Sequence, residues 1–442
     1  MNIKNFKYIC KIKYQIIMKA KIKFTLIIAI ALGCVMGASA KRVKRNINKQ
    51  VNLKQVEARL DSLMQSHYDP QSPGAALLIA KNGKAIYDKG IGIADMATGE
   101  KIDGNTAFNI ASISKQFTAI GALKMQEMGL INLNNSVASY FPELQRDIWH
   151  KIKLNDLLSH SSGVPDARPR GDRNFMLTAT DEQSVQYMKD LTELHFEPGT
   201  DYEYINPTFD LFYFLVEKKT GMKFVDFQKK YLFDKAGMEN VQYFTPEANI
   251  PHMAHGYIVN EDAEVSGSDS DYAKKREKVE NDYVDGKGVH WAECDYGEET
   301  FFATKADGGI YTTTHDFLKW ENALSRNIIV KKTSKRQAYT LHNLVTGSKW
   351  SSYQNRDNTW YGYGWFIDKT PGREVKIYHT GDNGGFQAYA AKYERSRVNV
   401  IMLENQNTVD RWKLQLEIEK ILREEGVISN KYQQLEIERI MR

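Results

Sequence analysis

Cysteine is nearly absent from this chain of 442 residues. Two of the three cysteines, Cys10 and Cys34, lie within the first 40 residues, and only Cys294 lies beyond them. A single cysteine cannot form an intramolecular disulfide, even in an oxidising compartment. The mature fold must therefore be stabilised by its hydrophobic core, which a chain of about 400 residues can supply. No motif surrounds Cys294, so we predict an ordinary buried thiol there.

Acidic residues are missing from the first 40 positions, which contain seven lysines. The net charge of the whole chain is +5, so the rest of the chain carries about −2. This nearly balanced charge gives no indication of a nucleic-acid partner. The composition, 42% hydrophobic and 26% charged, is typical of a folded soluble protein.

A membrane-spanning hydrophobic run is also missing near the N-terminus. The apolar stretch around TLIIAIALGCVMG has about 15 residues, whereas a spanning helix needs about 20. The basic stretch KAKIKF precedes it and Ala38-Ser39-Ala40 follows it, which is the pattern of a signal peptide cleaved after Ala40. We therefore predict a signal peptide over 1–40 and export to the periplasm or the cell surface. An uncleaved anchor and a lipidated Cys34 are the less favoured alternatives, and either would bring a membrane partner.

Motifs of several other enzyme classes are absent or incomplete. There is no His-Glu-x-x-His, and His252-Met253-Ala254-His255 has no acidic or cysteine residue at ligand spacing, so no metal is predicted. No helix pattern follows Gly90-Ile91-Gly92-Ile93-Ala94, which argues against a dinucleotide-binding loop. The nucleophile elbow Gly-x-Ser-x-Gly of the α/β-hydrolases is missing. We expect no cofactor.

Strand patterns occupy both ends of the mature chain. Near the start, AALLIA and AIYDKGIGIA flank Lys81-Asn82-Gly83-Lys84, which predicts a β-hairpin. Near the end, EVKIYHTG, FQAYAAKY and VNVIMLEN predict three further strands. We predict an α/β fold in which both chain ends build one antiparallel sheet flanked by helices. A mostly helical lobe, about 116–300, is inserted between them, and all of 41–442 forms one domain.

Helix and loop patterns fill in this outline. Apolar residues at helical spacing predict a helix over 52–66, and charged amphipathic helices are predicted from about 408 onward. The segment 258–300 is rich in Asp, Glu, Lys and Gly, so we expect a long solvated excursion there. From their positions between motifs, 258–300 and 167–185 are hypothesised to shape a substrate cleft.

The stretch FNIASISKQFTAIGALKMQEMG places Ser112 three residues before Lys115 at the start of a helix predicted over about 112–129. Residues three apart lie on one helix face with Cβ atoms about 5–6 Å apart, so the amine can reach the hydroxyl. A serine needs a base to become a nucleophile, and burial can lower a lysine pKa by up to about 3–5 units. The structural alternative is an N-cap serine beside a lysine whose ammonium reaches solvent.

Two further groups carry polar chemistry at suitable places. Tyr204-Ile205-Asn206 precedes an apolar helix, and a phenol can relay a proton while an amide can bind a substrate amide. His379-Thr380-Gly381 ends a predicted strand, and glycines there allow a ligand to approach the backbone. Singly, each is more easily explained as a core tyrosine with a capping asparagine, or as a strand-end histidine.

Ser-x-x-Lys, Tyr-x-Asn and His-Thr-Gly, in this order and on helix, loop and strand, resemble the β-lactamase-like serine hydrolases. That family includes class C β-lactamases, D-Ala-D-Ala carboxypeptidases, D-aminopeptidases and related esterases. The resemblance covers roughly 52–424 and includes the linking stretches LNDLLSHSSGVPD, FEPGT, DGGIYTTTHDFLKW and YGYGW.

The resemblance implies an acyl-serine mechanism. Ser112 would attack a carbonyl, and Lys115 and Tyr204 would share the proton transfers, with either of them as the first base. The oxyanion would lie between the backbone N–H groups of Ser112 and Asp382.

The resemblance also implies the substrate contacts. Asn206 would hold a substrate amide, while His379 and Thr380 would face its carboxylate or other polar end, beside Gly381. Class C β-lactamases have lysine where this chain has His379, and a histidine near pH 7 is mostly neutral. The Asp382 side chain is also an unusual neighbour for an anionic substrate.

These residues predict an exported serine hydrolase acting on an amide or ester through an acyl-serine intermediate. A cell-wall-type D,D-peptidase, a D-aminopeptidase or a related hydrolase is favoured, with a small molecule or peptide as substrate. The alternatives are a β-lactamase that hydrolyses β-lactams, a lipid or small-ester hydrolase, and a penicillin-binding or sensing module without turnover. Oligomeric state is left open.

Overall fold

The computed structural model describes residues 51–144, 147–169, 179–245, 248–259, 282–295 and 304–429. The predicted signal peptide, 1–40, lies outside the described residues, so its cleavage and the boundary of the domain at 41 stay predictions. In the described part of the chain, no helix combines the length and the apolar character needed to cross a membrane.

The described helices follow the expected outline. They are α1 Leu53–His67, α2 Lys115–Glu127, α3 Asp147–Lys151, α4 Leu154–Leu158, α5 Asp181–Lys189, α6 Pro207–Thr220, α7 Phe224–Gln228, α8 Asp234–Ala236, α9 Thr314–Ser325, α10 Lys332–Ala338 and α11 Arg411–Glu424. Short 3₁₀ helices cover Ala111–Ser114 and Val137–Ser139, and a π-helical turn covers Lys229–Phe233.

The described strands fall into four sheets. They are β1 Ala75–Lys81, β2 Lys84–Ile91, β3 Ile93–Asp95, β4 Glu100–Lys101, β5 Phe108–Asn109, β6 Gln242–Tyr243, β7 Tyr257–Val259, β8 Asp282–Val284, β9 His290–Glu293, β10 Ile310–Thr312, β11 Thr359–Tyr361, β12 Phe366–Asp368, β13 Lys376–Asn383, β14 Phe386–Tyr393 and β15 Val398–Glu404. The small sheets have the orders β5-β10-β6, β3-β4 and β7-β9-β8.

The main sheet is antiparallel, with the order β11-β12-β13-β14-β15-β1-β2. Its centre joins the two ends of the chain, because β1 pairs with β15 and places Leu78 opposite Ile401. The turn between β1 and β2 has φ angles of 54° at Asn82 and 77° at Gly83, as an Asn-Gly hairpin requires. The predicted α/β fold, with a sheet built from both chain ends, is confirmed.

Helix α2 occupies the centre of the helical lobe. Most of its residues are buried around the whole circumference, as expected for a helix enclosed by a large core. The Phe117 ring stacks on Trp320 of α9 at 4.1 Å and meets Phe233 edge-on at 5.5 Å. Because α9 also packs against β1 and β15, this aromatic cluster fixes α2 relative to the sheet.

The segment 258–300 differs from its prediction as far as it is described. Its described parts form strands β8 and β9 and most of β7, and Trp291 and Ala292 on β9 are buried. The expected solvated excursion is therefore wrong for these parts, because β9 carries apolar side chains that the charged composition of the segment concealed. The Gly385 N–H donates to the Cys294 carbonyl, which joins this small sheet to the turn between β13 and β14. Its effect on substrates stays a hypothesis.

Candidate active site

Ser112 lies on the 3₁₀ helix Ala111–Ser114, and α2 begins only at Lys115. The preceding residue, Ala111, has a φ of 45°, which is unusual for a residue with a Cβ atom. Its N–H donates to the Asn109 side-chain oxygen at 2.8 Å, which holds the turn in this conformation. Strained backbone of this kind concentrates at functional sites, where it fixes the direction of a reactive side chain.

Lys115 is completely buried, so its ammonium does not reach solvent. Its Nζ lies 2.9 Å from Ser112 Oγ and 2.8 Å from the Asp307 carbonyl oxygen. Burial lowers the pKa of Lys115 to about 8, although the carboxylates of Asp307 and Asp210 act in the opposite direction. A lysine with this pKa is partly neutral near physiological pH, which allows it to take a proton from Ser112.

Tyr204 lies beside this pair, and Lys115 Nζ is 5.2 Å from the centre of its ring. Burial raises the pKa of Tyr204 far above its ordinary value, and the nearby Ser112 hydroxyl lowers it only in part. The phenol is therefore protonated. Its hydroxyl approaches Ser112 without reaching hydrogen-bond geometry, and it has no hydrogen-bond partner among the described residues. Such contacts commonly tighten only when substrate binds.

Asn206 stands at the start of α6, directly before Pro207. Its side-chain oxygen is buried and accepts no hydrogen bond from any described residue. A buried amide oxygen of this kind is expected to have a partner. It is therefore available to accept the N–H of a substrate amide.

Strand β13 runs beside the Ser112 turn. A Cβ atom on Gly381 would lie 2.2 Å from the Ile110 carbonyl oxygen, so only glycine allows this close approach. Asp382 follows, and Arg411 holds its carboxylate in a bidentate pair with distances of 2.8 and 3.0 Å. Arg411 Nη1 also donates to the Gly381 carbonyl oxygen at 2.9 Å. The Asp382 charge is thus neutralised, which removes the objection to an anionic substrate.

His379 does not lie as expected. Its ring is buried, Nδ1 donates to the Thr380 carbonyl oxygen at 2.6 Å, and Nε2 accepts from the Tyr361 hydroxyl at 2.9 Å. Burial lowers the pKa of His379 well below its ordinary value. The expectation that this side chain faces a substrate is corrected, because Tyr361 on β11 and the adjacent backbone occupy both ring nitrogens.

Arg356 is a site residue that the sequence did not reveal. Its side chain is buried, and Nη2 lies 3.4 Å from Thr380 Oγ1. The guanidinium is stacked between the rings of Tyr353 and Phe366, at 4.0 Å from each ring centre. Nε and Nη1 have no hydrogen-bond partner among the described residues. A fixed cation therefore lies beside Thr380, and no spacing around Asn355-Arg356-Asp357 indicated it.

Buried carboxylates near Lys115 were also missed. The Asp307 Oδ2 atom lies 3.9 Å from Lys115 Nζ, and Asp307 belongs to a stretch that the sequence marked only as a linker. Asp210 on α6 is fully buried, and neither carboxylate oxygen has a hydrogen-bond partner in the described residues. Burial raises the pKa of Asp210 well above its ordinary value. The sequence did contain a signal for Asp210, because an aspartate inside the apolar run NPTFDLFYFLV is not explained by exposure to solvent.

One cluster carries side chains of the kind that bind metals. His255 Nδ1 lies 2.8 Å from Asp295 Oδ2 and 3.2 Å from Glu293 Oε1, so folding supplies the acidic neighbours that the spacing did not show. Burial alone would lower the pKa of His255, but these two carboxylates raise it to about 11. The contacts are therefore those of an ion-paired, protonated histidine.

Half-buried Ser112 lies beside buried Lys115 and a protonated tyrosine, an arrangement that can support serine acyl transfer. The chain matches the family described as Beta-lactamase over residues 56–419 and belongs to that family. Penicillin-binding protein 4* of Bacillus subtilis (strain 168) is 25% identical over 372 residues, 81% of this chain and 72% of its own length. A protein of Yersinia enterocolitica named Beta-lactamase is 23% identical, over 76% of this chain and 82% of its own.

Solved structures show the same fold. A penicillin-binding protein from Bacillus halodurans aligns with a TM-score of 0.64 and 22% identity, over 82% of this chain and 98% of its own. A D-amino acid amidase from Ochrobactrum anthropi SV3 aligns with a TM-score of 0.64 and 19% identity, over 84% of this chain and 99% of its own. Together the comparisons support a serine hydrolase of the β-lactamase-like superfamily.

Proposed function

We propose that this protein is an exported serine hydrolase that forms an acyl-enzyme on Ser112 and acts on cell-wall-type D-amino-acid peptides. The observation that carries the proposal is the 2.9 Å contact between Ser112 Oγ and the fully buried Lys115 Nζ. Lys115 takes the serine proton, Tyr204 gives its proton to the leaving group, and the Lys115 ammonium returns a proton to Tyr204, so that no phenolate remains. The backbone N–H groups of Ser112 and Asp382 stabilise the oxyanion.

The substrate end that lies toward β13 is a carboxylate in this proposal. Arg356 makes no ion pair with any described residue, and a buried cation without a counter-ion is costly unless a ligand supplies one. The rings that enclose it offset part of that cost. With Asp382 neutralised by Arg411, the field beside Thr380 is positive. This favours a D,D-carboxypeptidase-type peptide over a substrate that ends in a neutral amide.

A second candidate is a β-lactamase, since β-lactams also carry a carboxylate that Thr380 and Arg356 could bind. A third is a protein that traps penicillin without turnover. The three differ in how fast the acyl group leaves Ser112. Other partners, including nucleic acid, have no part in the proposal.

Intact-protein mass after mixing with a penicillin tests the nucleophile and separates the candidates. A stable adduct on the wild type supports a peptidase or sensing protein, and an adduct that vanishes while drug is consumed supports a β-lactamase. Ser112→Ala is expected to give no adduct. Ser114→Ala is the matched control, because Ser114 lies on the same turn but contacts the Ile310 N–H instead. Full labelling of Ser112→Ala contradicts the proposal.

The carboxylate is tested with two peptides that differ only at the C-terminus, an acyl-D-Ala-D-Ala acid and its amide. Arg356→Met is expected to lower kcat/KM for the acid by about 10–10²-fold, the loss of one charge-assisted hydrogen bond. The rate on the amide should change by less than about threefold. Arg59→Met, which removes an arginine paired with Glu424 and Glu425 away from the site, is the control. Equal losses on both peptides argue against a carboxylate at this position.

A further inference from the structure

His160 lies directly after the short helix α4, in the stretch Ser159-His160-Ser161-Ser162-Gly163. Its side chain is buried, and its φ of 55° lies in the left-handed region. Histidine enters that region more readily than most residues, but the conformation still costs about 1–2 kcal/mol. In the sequence this stretch only links two motifs.

The N–H groups of both residues that flank Tyr204 donate to this one residue. The Glu203 N–H donates to the His160 carbonyl oxygen at 3.0 Å, and the Ile205 N–H donates to His160 Nδ1 at 3.2 Å. The imidazole ring also lies against the Tyr204 ring, with centres 4.2 Å apart and planes tilted by 40°. These three contacts fix the backbone on both sides of Tyr204 and one face of its phenol.

Stability alone does not explain a histidine at this position. Because Nδ1 accepts a hydrogen bond, the neutral ring carries its proton on Nε2. That nitrogen is buried and has no hydrogen-bond partner among the described residues. A buried donor without a partner costs about 1–3 kcal/mol. The ring also packs against Tyr202, Phe209 and Tyr361, which any aromatic side chain could do. What a strained, half-satisfied histidine adds is the Nδ1 acceptor for the segment that carries Tyr204.

We infer that His160 is a positioning residue that aligns the Tyr204 hydroxyl with Ser112 by holding the N–H groups of Glu203 and Ile205, the residues on either side of Tyr204. The inference rests on the proposed role of Tyr204 in proton transfer. A displacement of about 1 Å in a catalytic group can cost about 10²-fold in rate. Loss of the His160 acceptor should therefore slow acylation without changing substrate binding.

The test uses acylation of Ser112 by a penicillin, whose leaving nitrogen needs a proton, measured as the rate at which the adduct forms in intact-protein mass spectra. His160→Phe keeps a ring but loses the acceptor, and it is expected to lower the acylation rate about 10–10²-fold with little change in KM. His160→Asn keeps an acceptor near Nδ1 and tolerates positive φ, so it should stay within about fivefold of wild type. His342→Phe is the matched control, because His342 also stacks on a tyrosine, Tyr363, at 4.9 Å.

A double-mutant cycle decides whether His160 acts through Tyr204. In a Tyr204→Phe background, His160→Phe should cause no further loss of rate. A multiplied loss, or a His160→Phe variant as fast as wild type, overturns the inference. If Tyr204→Phe alone acylates at the wild-type rate, the proposed role of Tyr204 fails, which is a separate result. Should His160→Phe not fold, His160→Ala, which removes acceptor and ring together, replaces it in the cycle.

Discussion

Removal of the Asp307 carboxylate should shift the pH dependence of acylation toward lower pH. Asp307→Asn keeps the backbone carbonyl that accepts from Lys115 Nζ at 2.8 Å, so the lysine stays anchored. It removes a negative charge whose Oδ2 lies 3.9 Å from Nζ and which favours the ammonium form. Without that charge, Lys115 should lose its proton at lower pH and become a base there.

The size of the shift follows from the distance. Two unit charges about 4 Å apart interact by about 4 kcal/mol at an effective dielectric constant of about 20, or about 3 pKa units. The asparagine dipole and local relaxation recover part of this, so we expect a fall of about 1–2 units. The pKa of Lys115 is about 8 in the wild type, and only the neutral amine can accept the Ser112 proton. The acylation rate should thus rise with pH through about 8, and the variant should show the same rise at lower pH.

The assay is the burst rate with p-nitrophenyl acetate from about pH 5 to 10, on variants whose thermal unfolding matches the wild type. Glu57→Gln is the control, because it removes a carboxylate that forms an exposed ion pair with another lysine, Lys89. Its profile should coincide with that of the wild type. An unshifted or upward-shifted limb in Asp307→Asn would show that Lys115 is not the base of this step, or that Asp307 does not tune it.

Three further substitutions distinguish effects on the stability of the fold from effects on acylation. Gly381→Ala places a Cβ atom 2.2 Å from the Ile110 carbonyl oxygen, so we expect about 1–3 kcal/mol of destabilisation by urea unfolding and loss of acylation. Phe117→Ala empties the stack on Trp320 and should cost about 3–5 kcal/mol in the same assay. Tyr204→Phe removes a hydroxyl with no described hydrogen-bond partner, so stability should stay within about 1 kcal/mol while acylation by a penicillin, whose leaving nitrogen needs a proton, slows by about 10²–10⁴-fold. A Tyr204→Phe variant that is destabilised instead would assign the hydroxyl a structural role.

The antiparallel sheet built from both chain ends was predictable because the signals of its longer strands are local, whereas the order of the strands was not predicted. The hairpin follows from Asn82-Gly83, and β14 follows from its apolar run with the bounds 386–393. Strands β11 and β12 were not predicted, because they have three residues each and lie around glycine-rich YGYGW. Such short strands take their conformation from their neighbours, β11 from β12 and β12 from β13, and leave little periodicity in the sequence.

The residues of the candidate site likewise include some that the sequence could predict and some that it could not. Ser112 and Lys115 are three residues apart, so helical geometry alone brings their side chains together. Arg356 and Asp307 reach the site through tertiary packing, and the residues next to them in the sequence do not indicate this position. His379 was misjudged for a related reason. The partner of its Nε2 is Tyr361 on β11, a strand that the sequence did not predict, and its Nδ1 is occupied by the carbonyl oxygen of the adjacent Thr380.

The opposite effects of burial on Lys115 and Tyr204 bear on which of them starts the reaction. Burial disfavours any charged form, so it lowers the lysine pKa to about 8 and raises the tyrosine pKa far above its ordinary value. A phenolate is then scarce, whereas a neutral amine is available 2.9 Å from Ser112 Oγ. We therefore propose that Lys115 removes the proton in acylation, and that the phenol passes its proton to the leaving group while the Lys115 ammonium replaces it. A site in which Tyr204 began as the base would need a permanent cation on its hydroxyl, and the described residues place Lys115 against the face of its ring instead.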